Sequence, residues 1–82
     1  MQERKIETMK GMCVIALTKY LMNRLSLTMD EAYARLMELE LFHLLMDTDS
    51  GMYLEQNEFL IECCERELAM GIDGLYEFLR TA

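Results

Sequence analysis

Apolar residues recur at helical spacing along most of the chain. Between Arg4 and about Arg24, the positions Ile6, Met9, Cys13, Ala16, Leu17, Tyr20 and Leu21 fall three and four apart and form one stripe. Met12, Ile15 and Met22 widen that stripe. Such a helix is expected either at the centre of the fold or covered twice, by its own core and by another chain. Gly11 costs the helix up to about 1 kcal/mol relative to alanine and permits close approach. Thr28 followed by Glu31 is a capping box, and Leu27 and Ala32 sit at the staple positions around it. A second helix is therefore predicted from Met29 to about Glu38, with Met29, Ala32, Tyr33 and Leu36 facing inward. Leu41, Phe42, Leu44, Leu45 and Met46 predict a further short helical stretch.

The segment from Asp47 to Gly51 is a turn by composition, because Asp and Ser bond their local backbone and Gly tolerates positive φ. Met52, Tyr53 and Leu54 are expected to be briefly extended. From about Gln56 to Met70, Leu60, Ile61, Cys64 and Leu68 mark a long helix. Gly71 suits the position just past a helix end, with Ile72 folding back on the last turn. Asp73 can then cap a final short helix carrying Leu75, Phe78 and Leu79. With no repeat, linker or low-complexity segment, the expected fold is all-α: a compact bundle of four or five helices in one small domain, residues 1–82.

Composition narrows the function classes. At 82 residues, one small core leaves little room for a deep pocket, which argues against a self-sufficient enzyme. The longest apolar run, Met12 to Leu17, is far below the roughly 20 residues of a membrane span. It is also short for a secretory signal, so a cytoplasmic location is expected. Cys13, Cys63 and Cys64 make an odd set with two neighbours adjacent, which suits free thiols better than a disulfide framework. The apolar surplus at Met12–Leu17 and Leu41–Met46 favours a homodimer that would bury it. The methionines fall mostly at core-compatible spacings and are expected as filler of an irregular core, although thioethers also line promiscuous grooves.

Charge is unevenly placed. The net charge is −7, yet residues 1–24 carry five cations against two acids (+3), while residues 25–82 carry three arginines against 13 acids (−10). Direct binding to nucleic acid is disfavoured over most of such a surface, and basic partners are attracted. Glu55, Glu58, Glu62 and Glu65, spaced three, four and three apart, are read as one helix face. Arg66 can relieve Glu62 one turn on. The candidate role of these four glutamates is docking of a basic protein partner.

Other chemistry is thin. With Asp47 as loop position 1, Asp49 and Glu58 fall at the calcium-loop positions 3 and 12. However, Gly51 offers no side-chain ligand at position 5, and Met52 stands at position 6, where the turn needs glycine. His43, the one histidine, lies among Leu41, Phe42, Leu44 and Leu45 and is expected to be structural. A zinc site from Cys13, His43 and Cys63 or Cys64 has only weak support, since the adjacent cysteines point about 100° apart on a helix. No metal, cofactor or catalytic residue is assigned.

The run Leu41-Phe42, Leu45, Asp47, Ser50-Gly51-Met52-Tyr53-Leu54-Glu55, Phe59-Leu60 and Glu67 resembles a group of small proteins of gut Firmicutes, some of them similar to genes beside toxin–antitoxin-like loci. The resemblance implies a helical accessory or antitoxin-like protein and carries over no functional residue. Together these readings lead to the expectation of a non-enzymatic interaction module for a basic partner. The alternatives are an acidic nucleic-acid mimic and a weak calcium-binding protein using Asp47, Asp49 and Glu58.

Overall fold

A computed structural model describes residues 2–82, with the side chains from residue 3 onward. The helix α1 (Gln2–Leu25) is the spine, and α2 (Met29–Met37), α3 (Glu40–Met46) and α4 (Asn57–Thr81) all pack against it or against one another. The described residues contain no strand, so the chain is all-α. Short 3-10 turns at Thr48–Ser50 and Met52–Leu54 join α3 to α4. The expected extended stretch at Met52–Leu54 is thus helical, pinned because Met52 is buried and Gly51 at φ 70° turns the chain into it.

Local signals set the helix ends. The Thr28 hydroxyl accepts from the Glu31 N–H at 3.3 Å, and the Glu31 carboxylate accepts from the Thr28 N–H at 2.9 Å, which completes the capping box. Ahead of it, Ser26 at φ 55° closes α1, and the Leu27 N–H reaches back to the Met22 carbonyl at 3.0 Å. Inside α4, Gly71 has φ 74° and ψ −167° and breaks the helix into two arms. The second arm folds back, so that Phe78 lies 5.5 Å from Phe59 and under the Arg66 guanidinium at 5.0 Å. Ile72 does not fold onto the last turn as expected but stands 52% exposed. Gly74 makes the close approach instead: a Cβ there would meet the Met70 Cβ at 2.4 Å.

The core is built of leucine and cysteine. Leu17, Leu21, Leu36, Leu41, Leu45, Leu60, Cys63, Cys64 and Leu75 are fully buried. On α2 only Ala32 and Leu36 are buried, while Met29 and Tyr33 stand outside at 64% and 42% exposure. Methionine is not the core filler expected of it. Of the nine, Met52 is the one buried among the described residues, whereas Met12, Met29, Met37 and Met70 are exposed.

Charged side chains from other helices hold both ends of α3. This helix is seven residues long, too short to be stable alone, and Leu39 at its start has no side-chain acceptor. The buried Glu67 carboxylate of α4 accepts from the Glu40 and Leu41 N–H groups at 2.6 and 3.0 Å. At the other end the buried Lys10 ammonium of α1 donates to the Met46 carbonyl and the Thr48 hydroxyl, both at 2.8 Å. It also lies 5.8 Å from the centre of the Tyr53 ring. A carboxylate at the N-terminus and an ammonium at the C-terminus both complement the helix dipole. Removing the acceptor leaves one buried donor, the Leu41 N–H, and one half-buried donor, the Glu40 N–H, unpaired. Glu67→Ala is therefore expected to lower unfolding stability by about 2–4 kcal/mol, and Glu67→Gln, which keeps one acceptor oxygen, by clearly less. Urea unfolding of the two variants measures this, and equal losses would contradict the capping role.

Candidate functional site

The four glutamates do not form one face. Glu55 precedes α4 and has extended backbone, so the helical spacing does not reach it. Glu58 lies in the first turn of α4 and is exposed. Glu62 points outward and lies 3.8 Å from Arg66, as the spacing implied. Glu65 turns toward α1, where its carboxylate accepts from the Tyr20 hydroxyl and from the Arg24 Nε–H at 3.4 Å. It acts as an interhelical strut.

This strut perturbs both partners. Partial burial and then the hydrogen bond to Glu65 push the Tyr20 phenol up to about 12. The same hydrogen bond, helped by Arg24, holds the Glu65 carboxyl below its usual range. Around it, Arg24, Arg35, Arg66 and Arg80 each lie within 4 Å of an acid. Asp47, Asp49, Glu55 and Glu58, on and after the turn that joins α3 to α4, are exposed acids in no ion pair among the described residues; Glu3, Asp30, Glu31 and Asp73 are likewise exposed and unpaired but scattered along the chain.

The acidic turn is occupied with its own backbone. The Asp47 carboxylate accepts from the Asp49 N–H at 3.0 Å. The Ser50 hydroxyl donates to the Leu44 and Asp47 carbonyls and accepts from the Met52 N–H. Among the described residues, no group of three or more His, Cys, Asp or Glu side chains is arranged to hold a metal ion. His43 is exposed on α3, its ring set edge-to-face with Phe42 at 6.1 Å between centroids. The thiols are free and buried. Burial pushes Cys63 up to about 11 and Cys64 up to about 12, with nearby glutamates adding to both, so both stay protonated at neutral pH. The Cys13 thiol faces the Tyr53 carbonyl at 3.6 Å.

A second surface lies between α1 and α2. A groove of about 490 Å³ runs between Ile15 and Met22 on one side and Met29 and Tyr33 on the other. Its floor includes Thr18, whose buried hydroxyl has no hydrogen-bond partner. Lys19 and Asp30 stand on its rim. The widened stripe of α1 was the sequence signal for this surface, but periodicity placed Met29 and Tyr33 inside.

Comparison with family models, curated proteins and solved structures gives no match to this chain. No described helix is long and apolar enough to cross a membrane.

The strut has a titration signature. A phenol raised from 10.0 to about 12 stabilises the fold fully below pH 10, and that contribution is lost as pH rises through 12. Among the four tyrosines, Tyr20 is expected to ionise with the last group in an ultraviolet titration, and Tyr20→Phe to remove a late step. Glu65→Gln should bring that step to lower pH. A titration unchanged by either variant would contradict the strut.

Proposed function

We propose that the protein is a non-enzymatic interaction module that docks a basic protein partner at the α3–α4 corner, through Glu55, Glu58 and Glu62. The observation that carries this reading is the cluster of exposed acids that follows the α3–α4 turn: Glu55 and Glu58 have no ion-pair partner among the described residues, and Glu62, one turn on, meets only the exposed Arg66, at 3.8 Å, a loose contact that a partner's cation can replace. Such a corner steers a cationic surface toward it and covers that surface on contact. Glu65, spent on Tyr20 and Arg24, supports the geometry rather than the partner. This is also how an antitoxin-like accessory protein would hold a basic toxin or nucleic-acid enzyme, by stoichiometric occlusion.

The test uses calorimetric titration with a lysine- and arginine-rich helical peptide. Replacing Glu55, Glu58 and Glu62 together by glutamine should weaken binding about tenfold, on the order of 0.5 kcal/mol per charge. Replacing Glu3, Glu38 and Glu77 removes the same charge elsewhere and should weaken it no more than about twofold. Equal losses would reduce the interaction to net charge and reject the corner. Added salt should weaken binding steeply.

A further inference from the structure

Of the nine large apolar side chains exposed among the described residues, five lie on α1 and α2: Met12, Ile15, Met29, Tyr33 and Met37. Met12, Ile15 and Met29 are each more than half exposed. Flexible thioethers beside an apolar groove make an adaptable contact surface. The molecule is also flat, with its thinnest extent 19 Å, and it exposes 5584 Å². A folded monomer of this mass is expected to expose about 5,100 Å². The excess, about 500 Å², is a large part of the roughly 800 Å² that each partner buries in a standard interface.

We infer that this face binds a second copy of the chain, forming a twofold dimer through α1 and α2. Charge decides the occupant. The groove rim carries one cation, Lys19, and one anion, Asp30, neither in an ion pair among the described residues. A basic partner gains nothing from a locally neutral rim. A twofold axis, by contrast, can set Lys19 of each copy against Asp30 of the other, because an isologous interface pairs the same patch with itself. Two chains of charge −7 repel, so they meet most easily where the acid excess is absent. That place is α1, which carries the chain's positive segment and supplies half of the groove. The dimer face is separate from the α3–α4 corner, so each copy would keep its acidic corner free, and the pair would be a bivalent module.

The two surfaces respond to salt in opposite directions. Salt screens the repulsion between like-charged copies and strengthens an apolar dimer, whereas it weakens docking of a basic partner. Sedimentation equilibrium on the full chain tests this over a wide range of protein and salt concentrations. The expected result is a monomer–dimer equilibrium that tightens with salt. Changing Ile15→Glu with Met29→Glu should raise the dimer Kd at least about tenfold, while Leu54→Glu with Met70→Glu, the same charges on exposed sites elsewhere, should change it less than about threefold. Lys19→Asp should weaken the dimer, and adding Asp30→Lys should restore it. Circular dichroism checks that each variant is folded, which their exposed positions favour. A chain that stays monomeric at every concentration overturns the inference. So does a dimer that loosens with salt, or one that responds equally to both double variants.

Discussion

Two buried charges hold the shortest helix of the protein in place. Helix α3 has seven residues and no side-chain cap of its own, so its free N–H and C=O groups need partners from elsewhere. Glu67 supplies them at one end and Lys10 at the other. Burying a carboxylate and an ammonium is costly, and hydrogen bonds to a helix terminus of opposite polarity offset that cost. These contacts also fix α1 and α4 to the same central element. Leu41 and Leu45 of α3 then seal the core between them, fully buried.

The rest of the molecule follows from that arrangement. With Glu67 turned inward beside Cys63 and Cys64, α4 presents Glu58 and Glu62 to solvent. With Lys10, Cys13 and Leu17 inward, α1 leaves Ile15 and Met12 outside. Among the described residues Met52 is the one methionine that joins the leucine-rich core, so most of the others lie at or near the surface. A small domain of this design has two distinct exteriors: an acidic corner suited to a cationic partner and a methionine-rich flank of near-neutral charge suited to its own copy.

Much of this was legible in the sequence because the signals are local. The capping box spans four residues, the helical stripes repeat every three or four, and Gly71 breaks the last helix where it was expected to. The end caps of α3 act across 36 residues for Lys10 and 26 for Glu67 to Leu41, which no local pattern encodes. A signal did exist, since Lys10 lies three residues before Cys13 on the apolar stripe and Glu67 three after Cys64. A charge in a buried register asks for a partner. The left-handed Ser26 had no compositional signal at all. Periodicity also says which face a residue shares but not how deep it lies, so Met29 and Tyr33 were placed inside. Glu55 was assigned to a helix face because helical spacing was extended two residues ahead of a helix start, Asn57, that only tertiary structure fixes.

Amide hydrogen exchange at Glu40 and Leu41 tests the central claim most directly, because these are the two N–H groups that Glu67 receives. Clamped as described, they should exchange only when the whole protein unfolds, as slowly as the amides of Leu17 and Leu21 in the core of α1. Fast exchange at these two sites while α1 stays protected would mean that α3 opens on its own, and the clamp would not be what holds the fold together.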